Sequence, residues 1–421
     1  MKLINYIKNN YNFYILIGLT LAFHFVSAEA FLVGILILSL FYICLDMIIN
    51  KHIPLNKKYI LTIPLILYLI IGIIFGLMNH YDKHNIIRDI FYHTNTLAVI
   101  ILCLSMFTDK ITKEQVFWCI LIVGTIMGIN TLFKIKEYAD QGNELTWQNL
   151  RFILEYTGYI INFIAFISFL FIKRFKYITI PLSLFNLGMA ILSFSRVLII
   201  LLLLIIIFMF IYYLIYSKHK ILFLSIAFVV VIGLYFASNT NVYQDYVMRF
   251  SKTIDELNPN HDFSVKLNAW KYWRGYEIWM ITNKYNESSI LNKLLGNGFG
   301  SFIYSEFGIT YEKEVINEIP IFHNGYYGSL FKCGIVGLSL YILFLISLYF
   351  YSFKYIKNKK DLFLNLSLIT YVAVATYVVM GLFHKEVWFI LVFLIIYLIK
   401  YHMDKKEEII KEEKDSSLIV E

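Results

Sequence analysis

Apolar blocks separated by short polar clusters run along almost the whole chain. Twelve such blocks can be drawn, at approximately 12–27, 30–49, 59–78, 91–108, 116–133, 152–172, 177–193, 197–216, 221–237, 324–352, 362–382 and 386–400. Blocks such as Val197–Tyr216 and Leu362–Gly381 hold about 20 residues, enough to cross the hydrocarbon core of a bilayer as helices. One connection breaks the pattern. Residues 238–323 form a polar, aromatic-rich stretch far longer than any other, and long loops in compact architectures are usually functional or disordered. Its tryptophans, Trp270, Trp273 and Trp279, and its readable periodicity argue for order.

Within that stretch, Val242–Leu257 alternates apolar and charged residues at helical spacing. A second helix is expected from Ser264 to about Tyr285, capped by Asp262 or Ser264. On it, Lys266, Trp270, Arg274 and Glu277 would share one face. Gly296-Asn297-Gly298-Phe299-Gly300 follows, where glycines permit a tight turn and close backbone approach by a ligand. No βαβ pattern surrounds these glycines, so a dinucleotide fingerprint is excluded. The stretch ends in Ile319-Pro320-Ile321-Phe322-His323-Asn324-Gly325-Tyr326, which puts an imidazole and an amide where the next block begins.

Composition agrees with the pattern. Hydrophobic residues make up 59% of the 421 and charged residues only 16%, against about 25% in a soluble globule, too few to cover a water-facing surface. The chain is expected to be an all-α polytopic membrane protein with about twelve transmembrane helices and one large helical outer loop. Residues 1–237 would carry spans one to nine, 238–323 the loop, 324–400 spans ten to twelve, and 401–421 a charged tail. The net charge of +8 is not a nucleic-acid footprint, because it follows the short loops. With the amino terminus inside, the short inner pieces carry 21 Lys and Arg, including KRFK at 173–176 and SKHK at 217–220, and the short outer loops carry 7. That bias places both termini in the cytoplasm and the long loop outside. The basic start and first apolar run look like a signal peptide, but no small-residue cleavage site follows, so they read as an uncleaved first span. Cys44, Cys103, Cys119 and Cys333 all lie in apolar blocks without a CxxC pair, so neither a disulfide framework nor a zinc site is expected.

Ionisable groups at membrane depth point to function. Arg196, in Leu192-Ser193-Phe194-Ser195-Arg196, sits between two spans with almost no loop; an end-anchor is the plain alternative, but such anchors favour the inner side. Arginine suits a diphosphate, because its planar fork offers paired donors and stays charged. His323 would act as a general base or acid in the same compartment. Arg274 and Glu277 could form an i,i+3 ion pair, and Lys332, about two turns into its span, could help hold phosphate. No D-x-D motif occurs, which argues against the divalent-metal clamp of nucleotide-sugar enzymes. An outer-face transferase must use a donor that arrives activated, and a polyprenyl diphosphate fits. His323 would take the acceptor hydroxyl proton while Arg196 and Arg274 stabilise the departing diphosphate.

Several of these stretches together resemble the bacterial O-antigen polymerase and O-antigen ligase family of membrane glycosyltransferases. The resemblance rests on Ser193-Phe194-Ser195-Arg196, Trp273-Arg274-Gly275-Tyr276-Glu277, Gly296-Asn297-Gly298-Phe299-Gly300, Pro320-Ile321-Phe322-His323-Asn324-Gly325-Tyr326 and Lys332-Cys333-Gly334-Ile335-Val336-Gly337-Leu338, in that order. It covers roughly Leu192 to Leu338. It implies a twelve-span, GT-C-like, metal- and cofactor-independent transferase in the bacterial inner membrane, acting on undecaprenyl-diphosphate-linked oligosaccharide. Arg196, Arg274 and His323 match the family's essential groups. Lys266, Trp270, Trp273, Glu277, Gly298, Gly300, Asn324, Tyr326 and Lys332 would bind substrate. Many members carry arginine where this chain has Lys266, which binds phosphate without the fork. An acceptor glycan, the lipid bilayer, a flippase and a chain-length regulator are the implied partners. The Trp-Arg-Gly-Tyr-Glu and Ile-Pro-Ile-Phe-His-Asn-Gly-Tyr stretches favour a polymerase of repeat units. The alternatives are a ligase to the lipid A core, or a flippase or exporter, against which the scarcity of mid-span charge counts.

Overall fold

The computed structural model describes residues 2–50, 57–106, 111–144, 159–192, 196–216, 248, 251–252, 254–311, 314–384 and 387–418. Helices dominate. The amino-terminal pair α1 (Lys2–Phe25) and α2 (Ala28–Asn50) leads into α3 (Ile63–Met78), α4 (Lys83–Met106) and α5 (Lys113–Asp140). After these come α6 (Tyr159–Ile167), α7 (Lys176–Leu192) and α8 (Arg196–Tyr216). The polar excursion holds α9 (Lys266–Lys271), α10 (Trp273–Glu287), α11 (Ile290–Leu295) and strands β1 (Ile303–Tyr311) and β2 (Glu314–Ile319). The chain closes with α12 (Gly325–Tyr355), α13 (Lys359–Val378) and α14 (Val392–Leu418). Among the described residues, five stretches are long and apolar enough to cross a membrane: Tyr59–Met78, Lys83–Ser105, Lys113–Asp140, Gly325–Tyr355 and Lys359–Val378. Several further apolar helices are shorter. This is a membrane-embedded helical protein. The expected block at 221–237 lies outside the described residues, as does most of Val242–Leu257.

The helix ends carry the caps their sequences offer. Thr112 and Gln115 form a reciprocal capping box at the start of α5. The side chain of Asn358 accepts from the Asp361 amide at the start of α13, and that of Asn324 accepts from the Tyr326 and Tyr327 amides at the start of α12.

At one end of the bundle, polar contacts join described residues of 113–114, 173–174, 361 and 402. There Lys113 donates to Asp361 at 2.7 Å, His402 lies 3.0 Å from the same carboxylate, and Glu114 accepts from the Lys173 and Arg174 amides. Residues 254–324 cover the opposite end. Four helices, α3, α4, α12 and α13, meet under this cover around buried Tyr68, Tyr341 and Phe383. Tyr68 stacks on Phe383 with ring centres 5.8 Å apart, and Tyr341 donates to or accepts from Thr376 at 2.8 Å.

Two expectations for the cover need correction. It is not purely helical: Ile303–Tyr311 and Glu314–Ile319 pair antiparallel, with Ile303 opposite Ile319 and Tyr304 opposite Glu318. Ile303 and Ser305 are buried while Tyr304 and Glu306 are exposed, the alternation of a strand with one covered face. The expected helix over Ser264–Tyr285 is also two helices, broken at Tyr272 (φ −117°, ψ 45°). Tyr272 stacks on His261 at 3.7 Å, and Gly275 lies so close to Asn258 that a Cβ there would come within 2.3 Å of its carbonyl oxygen. Those two contacts fix the change of direction. Asp262 caps neither helix; it accepts from the Ser264 amide and hydroxyl in the preceding turn.

The glycines of 296–300 also find a different neighbour. Gly298 has φ +85°, and a Cβ there would meet the Gly76 nitrogen at 2.1 Å. Phe299, fully buried, lies against Gly72 and Gly76 of α3, and its amide donates to the Gly72 carbonyl at 2.7 Å. The close backbone approach in the structure is to α3 and α12. Gly298→Ala combines left-handed strain with a backbone clash, and is expected to cost about 3 kcal/mol or more. A clear fall in the melting temperature of the detergent-solubilised protein checks this.

Candidate functional site

At the junction between the cover and the bundle, the last turn before α12 meets the first turns of α10. Glu277, on α10, is fully buried. Both of its carboxylate oxygens are used. Oε1 accepts from Trp273 Nε1 at 2.8 Å and pairs with His323 Nδ1 at 2.9 Å, and Oε2 accepts from the His323 amide at 3.0 Å. An ionised carboxylate only accepts, so the shared proton sits on Nδ1 and a neutral His323 presents its lone pair at Nε2. The His323 side chain is 49% exposed, and Nε2 has no hydrogen bond among the described residues. A buried acid that orients an exposed imidazole is the arrangement a general base requires.

Burial pulls the His323 pKa down, but the charge of Glu277 and the hydrogen bond to it outweigh this, and the net shift is upward from 6.5. Arg274 opposes the rise and Glu256 supports it. A base works only when deprotonated, so its activity climbs as pH rises through this raised value. Glu277→Gln removes the negative charge that raises it most and leaves burial and Arg274 lowering the pKa against the charge of Glu256 alone. The acid limb of the rate profile is expected to move to lower pH in that variant, read from initial rates between about pH 5 and 9. The pairing also stabilises the fold below the ordinary histidine pKa, and this contribution is lost as pH rises through the raised one.

Arg274 is close to the pair but does not bridge to Glu277, as its i,i+3 spacing suggested. Its Nη1 donates to Glu256 Oε2 at 3.2 Å, while its buried Nε has no hydrogen-bond partner among the described residues. His384, in the turn between α13 and α14, is held at a pKa of about 4, first by burial and then by the nearby charge of His323. Its buried Nδ1 is likewise without a partner among the described residues. His384 therefore stays neutral near pH 7, and His323 carries the titration there.

A small pocket lies beside this junction, between α4, α12 and the 380–383 turn. Tyr92, His93, Phe322, Ser329, Lys332 and Phe383 are among the residues that line it. Lys332 is not a free phosphate ligand. Its ammonium donates to Asp89 Oδ2 at 2.6 Å and to the Ser301 carbonyl, with both charged side chains buried. Asp89 also accepts from the Gly300 amide at 2.7 Å and from Arg88 at 3.2 Å. Sequence reasoning missed Asp89 and His93. Their signal is a polar stripe on α4, with Asp89, Tyr92, His93 and Thr96 at helical spacing.

Comparison of the chain with known protein-family models and with curated proteins returned no match. The reading of the site therefore stands on its geometry.

The remaining expected residues fall into two groups. Asn324 caps α12 and donates to the Tyr377 carbonyl at 2.9 Å, and Tyr326 donates to the Ala373 carbonyl at 2.8 Å. Gly300 packs against Tyr81 and Ile86. All three contribute contacts that hold the bundle together. Glu277, similarly, has no surface to offer a substrate; it positions His323. Lys266 lies over the Trp270 ring at 4.4 Å, and Trp270, 49% exposed, donates to the Gly308 carbonyl. The break at Tyr272 separates this exposed pair from Arg274 and Glu277. Arg196 opens α8, and its side chain lies outside the described residues. Tyr212 and Tyr216 on α8 meet Phe363 near the start of α13, so the two helices run antiparallel and the Arg196 backbone lies at the His323 end.

Proposed function

We propose that the protein is a membrane glycosyltransferase that polymerises lipid-linked oligosaccharide repeat units, drawing each glycan from undecaprenyl diphosphate. The observation that carries this reading is the His323–Glu277 pair, with Trp273 locking the acid and Arg274 beside it at the end of a membrane bundle. An acceptor sugar hydroxyl gives its proton to His323 Nε2 as its oxygen attacks the anomeric carbon of the donor. The bond from that carbon to the diphosphate oxygen breaks, and undecaprenyl diphosphate departs. Arg274 and Arg196 take up the charge of the leaving group; the Nε of Arg274, without a partner among the described residues, is a donor in reserve for it. Positioning and charge stabilisation supply the rate.

In this reading the chain has twelve spans in a GT-C-like arrangement in the bacterial inner membrane. The basic end and both termini face the cytoplasm and the 238–323 cover faces outward. The family resemblance and the loop charges support these finer points. The test is reconstitution into proteoliposomes with undecaprenyl-diphosphate-linked repeat units. Ladders of lengthened glycan on the lipid and released undecaprenyl diphosphate are the expected result. In the source cell, loss of the gene should leave single capped repeats on lipid A. Long chains stranded on undecaprenyl diphosphate would instead identify a ligase.

A further inference from the structure

The stretch Ser289–Ser301 does something that a loop lying above a membrane does not: it enters the bundle between α3 and α12. Its depth follows from helical rise. The Phe299 amide donates to the Gly72 carbonyl at 2.7 Å, six residues before α3 ends, or about 9 Å below that end. The Gly298 amide donates to the Lys332 carbonyl at 2.8 Å, seven residues into α12, or about 10 Å down. Tyr59–Met78, which ends in α3, and α12 are both long and apolar enough to cross a membrane.

Non-helical backbone at such depth persists only where its polar groups are satisfied by protein, and here they are. Asn297 donates through its amide at 3.0 Å and through its side chain at 3.1 Å to the Phe331 carbonyl, and Asn79 donates to the Asn297 carbonyl at 2.8 Å. The Gly300 amide goes to Asp89, and the Ser301 carbonyl to Lys332. The accepting carbonyls of α12 lie on the turn before Gly334, where that helix leaves helical geometry (φ 64°, ψ −166°). A Cβ on Gly334 would lie 2.4 Å from the Leu294 backbone, so the break in α12 is also what lets α11 come in. The short helix and the kink fit each other and satisfy each other's backbone.

The outer side of α11 is apolar and uncovered. Ile290 is 79% exposed, Leu291 52% and Leu294 45%, and beside them Ile335 and Val336 of α12 are exposed as well. That apolar surface is continuous with the outward face of a membrane-crossing helix.

We infer that Ser289–Ser301 is a re-entrant membrane element whose Ile290, Leu291 and Leu294 contact the acyl chains of the bilayer. It anchors the cover from inside the membrane and sets His323, two residues before α12, at headgroup depth. The inference is independent of the proposed chemistry.

Spin labels on Ile290→Cys, Leu291→Cys and Leu294→Cys, in full-length protein with the exposed Cys44 replaced by serine and reconstituted in phosphatidylcholine vesicles, test it. All three labels should collide more with oxygen than with an aqueous nickel chelate, and a label on Tyr304→Cys in the exposed part of the hairpin should show the reverse. Three positions give independent readings if one variant fails to fold. Chelate access at 290, 291 and 294 equal to that at 304 would overturn the re-entrant assignment, whatever the protein's activity.

Discussion

Alanine at position 323 is expected to lower glycan chain extension by about 10²–10⁴-fold, the usual contribution of a positioned general base. The loss should appear in kcat and leave donor binding nearly unchanged, because the half-exposed ring holds no described group other than Glu277. Glu277→Ala should lose nearly as much by a different route, since it frees the imidazole from the tautomer and direction that Nδ1 pairing imposes and leaves the Trp273 indole N–H without its acceptor. The two losses should not add, because the acid acts only through the base. The check is initial rates of lipid-linked glycan extension in proteoliposomes for the two single variants and the double. A His323→Ala enzyme that extends chains at the parent rate would remove the base from the proposed mechanism. Measured above the raised histidine pKa, where the charged pairing no longer adds stability, the same variant is expected to stay folded with only a small fall in melting temperature, which separates lost chemistry from lost structure.

Much of the fold could be read from the chain because a bilayer imposes so strict a code. Runs such as Ile63–Met78 admit one interpretation, and the caps at Thr112, Asn324 and Asn358 are local chemistry. His323 was legible for a related reason: an imidazole beside Asn324 at the mouth of a span has few bland explanations. Its partner was legible only as a residue. Glu277 was expected to share a face with Arg274, since within a helix i,i+3 neighbours meet. The contact that matters, across 46 residues to His323, depends on how the cover folds back. The break at Tyr272 was hidden for the same reason, because stacking on His261 and the close approach of Gly275 to Asn258 are tertiary events. The glycines of 296–300 were read as sites of close approach, and the approach the structure shows is to α3 and α12. A left-handed glycine announces that something comes near, but not whether it is substrate or another helix. Asp89 escaped because the apolar block of α4 was drawn from residue 91. The helix begins at Lys83, and its first turns carry the polar stripe.

That stripe carries the second large effect. Asp89→Ala is expected to destabilise the protein by about 3–5 kcal/mol, the usual cost of removing one partner of a buried ion pair. Lys332→Met should cost less, although it breaks the same contact. The reason lies in what each variant leaves behind. Without Asp89, the Lys332 ammonium keeps only the Ser301 carbonyl, and the Gly300 amide has lost its acceptor. Without Lys332, the Asp89 carboxylate still accepts from the Gly300 amide and from Arg88, whose side chain is partly exposed. The double variant, Asp89→Ala with Lys332→Met, should be less damaged than the sum of the two, because no isolated charge remains in the interior. Thermal unfolding of the three variants in detergent measures the order. Equal losses for the two single variants, or strict additivity in the double, would show that the pair is not the buried clamp joining α4, the 296–301 segment and α12. If the clamp holds, its loss should also loosen the floor under His323: Asp89→Ala should lower kcat at temperatures where the protein remains folded, although no atom of Asp89 meets the imidazole.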